Sequence, residues 1–276
     1  MPILVDLHTH TSYSHGKDTA EAMAASAHAK GLAVYGFSEH SPRPAAYAYP
    51  ADYREKLAAG IPSYIAEVLG LQKRYQGRME ILLALEMDFL PRELAYTREA
   101  VFAYPYDYVI GGLHFLGRWG FDYAAPDWAS LSDAACAEHF AGYYRDLALM
   151  AETGLFQIAA HPDLVKLFRK ETFAAWIAAP EAREQVRAAL AAIKKAGMAL
   201  EISSAGLRKG LGEPYPCREL MALAREAALP VSFASDAHAA ADVAYGFEEL
   251  ASYAREYGYA ASAVFRQRAM SLRPFV

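Results

Sequence analysis

Ile3-Leu4-Val5-Asp6-Leu7-His8-Thr9-His10 is a short apolar run that ends in two histidines one residue apart. A run this short and this rich in branched residues reads as a buried strand. Side chains alternate faces along a strand, so His8 and His10 point the same way. Asp6 shares their parity, which makes it a candidate acceptor beneath them.

The same pattern recurs down the chain. Strands are expected at Ile3–Leu7, Ala33–Ser38, Glu80–Leu85, Tyr108–Leu113, Phe156–Ala160, Met198–Ile202 and Val231–Ala234. Helical stretches lie between them, at Thr19–Lys30, Ser63–Tyr75, Arg92–Ala103, Asp133–Glu152, Glu181–Ala196 and Tyr215–Ala228. Gly31 closes the first helix and Gly197 the fifth, as glycines in the left-handed cap position do. Asp127–Ala135 and Ala45–Gly60 read as long loops or short extra helices at a barrel mouth. Alternating strands and helices argue for βαβ units and a parallel sheet. The expected fold is α/β, a distorted seven-stranded barrel, TIM-barrel-like, forming one domain over residues 1–276.

In such barrels function gathers at the carboxyl ends of the strands. Here the first strand runs into His8 and His10, the second into Glu39-His40, and the third into Glu86. The fourth ends at His114, the fifth at His161 and the seventh at Asp236-Ala237-His238. Only the sixth differs, ending in Glu201-Ile202-Ser203-Ser204. Residue types that bind metals would therefore converge on one mouth. His15 follows the first strand in a glycine-containing loop and joins the candidates. His28 and His139 lie inside expected helices and read as ordinary surface histidines.

Composition narrows the class. The 276 residues are 54% hydrophobic and carry a formal net charge of −5, which does not suit a surface that grips polynucleotides. No nucleic-acid partner and no membrane are expected, because no apolar run is long enough to span a bilayer. Cys136 and Cys217 are far apart and form no disulfide framework. The start lacks the features of a signal peptide, so a cytoplasmic location is expected.

Six segments together resemble the motifs of the PHP (polymerase and histidinol phosphatase) superfamily, in order. They are Asp6-Leu7-His8-Thr9-His10, Phe37-Ser38-Glu39-His40, Leu85-Glu86-Met87-Asp88, Gly112-Leu113-His114-Phe115, Ala160-His161-Pro162-Asp163 and Ala234-Ser235-Asp236-Ala237-His238. Within it, Glu201 to Lys209 and His161 to Lys166 are similar to segments of the stand-alone histidinol-phosphate phosphatases. Ser203 stands where those enzymes commonly carry Asn, and the Ser12–Gly16 loop lacks their frequent Cys.

The resemblance implies three divalent metal ions, with zinc the default and manganese or iron the alternatives. His8, His10, Glu86 and Asp236 would hold one. Glu86, His114 and His161 would hold a second, and His15, His40 and His238 a third. Asp236, Glu86 and His238 would then be the catalytic residues. The implied activity is hydrolysis of a small phosphate monoester, L-histidinol phosphate, in histidine biosynthesis. Such hydrolysis needs barrier lowering on the order of 20 kcal/mol or more, which cations supply and neutral imidazoles do not. Arg169 and Arg208 are candidates to grip the phosphate. Ser203, Glu39, Asp122 and Trp119, with Phe115, are candidates to contact the rest of the substrate. Two rivals stay open: another PHP phosphoesterase acting on nucleotides or small esters, and an amidohydrolase-type barrel, which also begins with H-x-H.

Overall fold

The structure, a computed structural model, describes residues 2–45, 47 and 51–275. Its centre is a seven-stranded parallel sheet. The strands are β1 (Val5–Asp6), β2 (Val34–His40), β3 (Glu80–Asp88), β4 (Tyr108–Gly112), β7 (Ile158–Ala159), β8 (Ala199–Ser203) and β9 (Val231–Ala234), adjacent in that order. Two further pairs are antiparallel hairpins: β5 (Phe115–Leu116) with β6 (Trp119–Gly120), and β10 (Ala261–Arg266) with β11 (Ala269–Pro274). The first and last barrel strands meet as well. Leu7 N donates to Phe233 O at 3.1 Å and His10 N to Ala237 O at 2.9 Å, which nearly closes the barrel.

Helices α1 (Ala20–Ala29), α2 (Ala51–Tyr75), α3 (Leu94–Phe102), α4 (Ala125–Ala129), α5 (Asp133–Glu152), α6 (Lys170–Ala178), α7 (Pro180–Lys195), α8 (Ala205–Arg208), α9 (Arg218–Glu226) and α10 (Phe247–Glu256) accompany the sheet. Each long helix buries one stripe. In α5 that stripe is Cys136, Phe140, Tyr143, Tyr144, Leu147, Met150 and Ala151, at the three- and four-residue spacing of an amphipathic helix. Thr19 caps α1 by accepting from Ala22 N, and Gly31 follows with φ +77°, as the sequence predicts.

The apolar interior divides in two. Helix stripes and outward strand residues form the large outer core. Val5, Leu7, Val34, Leu82, Ala84, Tyr108 and Ile110 fill the barrel itself, against Ala263, Val264 and Phe265 of β10. The β10–β11 turn also bonds to the amino-terminal ends of two strands. Arg268 N donates to Asp107 O, and Arg266 pairs with Glu80. The hairpin therefore plugs the barrel's bottom and leaves the top for chemistry. At mid-barrel the Tyr108 hydroxyl donates to Leu7 O at 2.6 Å. It passes so close to Gly36 that a Cβ there would lie 1.7 Å from it.

Three expectations change. Helix α2 starts at Ala51, twelve residues before the expected Ser63, and runs through Pro62. Burial of Leu57, Ile61, Tyr64, Ile65 and Val68 outweighs the cost of the proline. The expected loop Ala45–Gly60 is thus mostly helix, with Ala46 and 48–50 outside the described residues. Helices α6 and α10 and the β10–β11 hairpin are additions. Among the described residues, no helix is long and apolar enough to cross a membrane.

Candidate metal centre

Every strand-end histidine and acid expected at the mouth reaches the same place. Glu86, at the end of β3, is the hub. Its Oε2 lies 2.9 Å from His40 Nδ1, 3.3 Å from His8 Nε2 and 3.4 Å from His10 Nε2. Its Oε1 lies 3.1 Å from His161 Nε2 and 3.6 Å from His114 Nε2. Asp236 Oδ1 closes the other side, 3.4 Å from His10 Nε2. His238 and His15 stack beyond, with ring centroids 4.3 Å apart. Three groups of donors are close enough to share an ion: His8, His10 and Asp236; His8, Glu86 and His161; and His10, His40 and His238. His15 stands at the exposed rim, its Nδ1 2.9 Å from Tyr53 Oη. His28 and His139 lie on helices elsewhere, as expected.

A set of buried acceptors fixes which nitrogen of each ring faces the cluster. His8 Nδ1 lies 2.7 Å from Glu201 Oε2, His10 Nδ1 3.4 Å from Glu39 Oε1, and His114 Nδ1 faces Asp88 Oδ1. His238 Nδ1 lies 3.0 Å from Asp236 O. An ionised carboxylate or a carbonyl only accepts, so the ring proton sits on Nδ1 in each case. The Nε2 lone pairs then point inward. Those of His8 and His10 are 3.1 Å apart, and His238 Nε2 is buried with no hydrogen-bond partner. Facing lone pairs repel unless a proton or a metal cation sits between them, so this donor set fits divalent cations.

Electrostatics agree with that reading. Burial alone would keep Glu86 protonated, but the imidazoles of His8, His40 and His114 and a hydrogen bond with His161 hold it well below the usual carboxylate range. Asp236 is likewise buried yet held low by His10, His238 and Lys209. Burial opposes the charge on His114, and Asp88 and Glu86 overcome it, raising its pKa to about 9. Burial and the neighbouring His10 push His238 down to about 3 and His15 to about 4. Two centre residues have positive φ, His161 at 24° and Asp236 at 50°. Such conformations cost roughly 1–3 kcal/mol each and persist where the surroundings over-determine them. Asp236 is accordingly not in the extended stretch that its spacing from His238 suggests.

Several expected contacts fall elsewhere. Asp6 does not serve the histidines: it accepts from Ser235 N at 2.9 Å, Ser235 Oγ at 2.6 Å and Ala244 N at 3.2 Å, pinning the end of β9. Glu39 is buried under the site and accepts from Thr11, Ser14 and His40 as well as facing His10, so it orients a ring rather than meeting substrate. Arg169 donates to Leu131 O, away from the mouth. Arg208 donates to Ser235 O and Asp236 O, bracing the Asp236 loop from behind. Ser203 is fully buried with its Oγ turned to Ala205 N, and Trp119 packs on Trp128 and His139. Asp122 does line the cavity. Sequence reading missed Glu201 and Asp88, which orient rings, and Arg43 and Lys209, which stand in the cavity wall. The sequence signals for Glu201 were its place at the end of the sixth strand and the likeness of its segment to the phosphatases.

The cavity above the centre measures about 250 Å³. Its floor is Glu86, Asp236 and the imidazoles, and its walls carry Arg43, Lys209 and Asp122. Arg43 pairs with Asp88, and Lys209 Nζ lies 3.7 Å from Asp236 Oδ2.

Comparison with known proteins places this architecture. Residues 6–205 match the PHP domain. A protein of Deinococcus radiodurans named "Probable histidinol-phosphatase" is 33% identical over 272 residues, covering 97% of this chain and 98% of that one. The "Histidinol-phosphatase" of Bacillus subtilis is 30% identical over 262 residues, covering 88% and 96%. A histidinol phosphate phosphatase of Lactococcus lactis, solved with zinc, L-histidinol and phosphate, has the same fold at TM-score 0.75 and 18% identity, covering 97% and 98%. With the domain match spanning most of the barrel and the strand-end ligand types in their expected order, this chain belongs to the PHP family.

Proposed function

We propose that this chain is a metal-dependent phosphomonoesterase that hydrolyses L-histidinol phosphate to L-histidinol and phosphate. The observation that carries the reading is Glu86, a buried carboxylate with imidazole nitrogens of five histidines within 3.6 Å of its two oxygens. The Bacillus and Deinococcus relatives, matched over most of the chain, support the substrate.

Three ions are the count we infer. His8, His10, Glu86 and Asp236 would hold one; Glu86, His114 and His161 would hold a second; His40 and His238, with His15 at the rim, would hold the third. Zinc is the inferred metal, with manganese or iron as alternatives. When bound, such cations acidify a water ligand and neutralise charge on a phosphoryl group. The chain's own residues do the rest. Glu86 and Asp236 stay ionised and set the donors' spacing. The orienting carboxylates Glu201, Glu39 and Asp88 keep the Nε2 lone pairs of His8, His10 and His114 inward. His238 presents an unprotonated nitrogen at neutral pH. Lys209 and Arg43 add positive charge where the phosphate enters. Asp236, held as an anion, is suited to accept a proton rather than to donate one to the leaving alkoxide. One domain over residues 1–276 fits a barrel that its own carboxyl-terminal hairpin plugs. The buried, unpaired Cys136 and Cys217 fit a reducing cytoplasm.

A substrate panel tests this. The expected kcat/KM for histidinol phosphate exceeds that for nucleoside monophosphates and p-nitrophenyl phosphate by about 100-fold or more. Comparable rates on nucleotides would point instead to a broader phosphoesterase. Release of product from an amide or lactone with no phosphatase activity would point to the amidohydrolase reading.

A further inference from the structure

We propose that Asp122 is the specificity determinant of this cavity, its carboxylate receiving the ammonium that the substrate carries one carbon from the ester-bearing carbon. The inference rests on the phosphatase reading above and names the part of the site that reading leaves open.

Among the described residues the cavity wall holds three charged side chains besides the floor: Arg43, Lys209 and Asp122. The two cations already face acids. Arg43 Nε donates to Asp88 Oδ2, and Lys209 faces Asp236. Among the described residues, Asp122 makes no such ion pair. Its Oδ1 is out of contact with solvent and has no hydrogen-bond partner. An acceptor shielded from water without a donor is uncommon in a folded protein, and a ligand group is one way to satisfy it.

Position gives that group its sign. The hairpin β5–β6 carries Asp122 over the mouth. Phe121 N donates to His114 O at 3.2 Å, which ties the adjacent residue to the backbone of a centre histidine. An ester whose phosphate sits on the metal-loaded floor would therefore present its next few atoms to a carboxylate. An ammonium there makes a charge-assisted hydrogen bond. A primary amine is fully charged at neutral pH, whereas an imidazole with a pKa near 6.5 is mostly neutral, so the amine is the better partner. Such a wall favours small esters that carry a cation a few atoms from the phosphate, and it offers no matching contact to a nucleotide, which carries none there.

The test compares histidinol phosphate with its desamino analogue, imidazolylpropanol phosphate, on the metal-loaded wild type and on Asp122→Asn. In the wild type the amine is expected to raise kcat/KM by about 10- to 100-fold, mostly through KM. In Asp122→Asn that ratio should collapse towards one, and Asp122→Glu should restore part of it. A second readout avoids turnover: calorimetric titration with L-histidinol and with imidazolylpropanol in the presence of inorganic phosphate should show the same preference and the same loss. A wild type active on both esters with a ratio near one would overturn the proposal and leave the phosphatase reading intact. An unchanged ratio in Asp122→Asn would also overturn it, as would loss of bound metal in that variant. A wild type inactive on both esters would remove the phosphatase reading and this inference together.

Discussion

Glu201 Oε2 lies 2.7 Å from His8 Nδ1, so a carboxylate on the sixth barrel strand decides which nitrogen of a first-strand imidazole faces the metal centre. The same residue's Oε1 accepts from His161 N at 3.0 Å and steadies a backbone held at positive φ. One buried acid thus positions two candidate ligands on strands that are not neighbours in the sequence.

Glu201→Gln should therefore weaken metal binding by about 10- to 100-fold, because the amide keeps one acceptor for two donors, His8 Nδ1–H and His161 N–H. Competition with a chromogenic chelator measures this. An affinity equal to wild type would mean that the His8 tautomer does not depend on Glu201.

Glu86→Ala should abolish turnover and release metal, since no other carboxylate reaches both His161 and His40. His139→Ala should stay near wild-type activity, because its ring packs tilted against Trp119, away from the cluster. Metal content and phosphate release of the two purified variants decide the matter. Equal behaviour would contradict the ligand assignment.

Metal loading should expel protons. In the metal-free protein His114 keeps its proton up to a pKa of about 9, through Asp88 and Glu86 against the pull of burial. A raised histidine pKa stabilises the metal-free fold fully below its usual value near 6.5 and loses that stabilisation as pH rises through about 9. A cation competing for Nε2 must displace that proton, so apparent affinity should rise with pH until about 9 and then level off. Calorimetry in two buffers of different ionisation enthalpy counts the protons. Release that is no greater at pH 7.5 than at pH 9.5 would contradict this assignment.

Gly36→Ala should destabilise the protein by about 1–3 kcal/mol, because the new methyl meets the Tyr108 hydroxyl. Removing that hydroxyl, in Gly36→Ala/Tyr108→Phe, should recover part of the loss. Thermal unfolding of the single and double variants reads both effects. A melting temperature for Gly36→Ala at the wild-type value would show that the barrel interior has room that the structure does not record.

Much of the site is legible in sequence because it is periodic. A barrel puts every strand's carboxyl end at one mouth, so His8, His40, Glu86, His114, His161 and Asp236 could be grouped before any coordinates. What surrounds them follows no such period. Glu201 meets His8 across 193 positions, and Arg43 meets Asp88 across 45, pairings that depend on how strands sit side by side. Arg169 and Arg208 were chosen for their chemistry, yet each is spent on backbone carbonyls. Glu39 was placed with the substrate because its strand end faces the mouth, but its neighbours Thr11 and Ser14 draw it beneath the rings. The β10–β11 hairpin buries Ala263, Val264 and Phe265 against the barrel's underside, a surface that exists only after the barrel closes.

The most direct test of the account is to measure metal per chain and phosphate released from histidinol phosphate on the same purified sample, before and after chelation. The account predicts several divalent ions per chain, three at full loading, and activity that disappears with them and returns when they are restored. Full activity in a sample stripped of metal would contradict it.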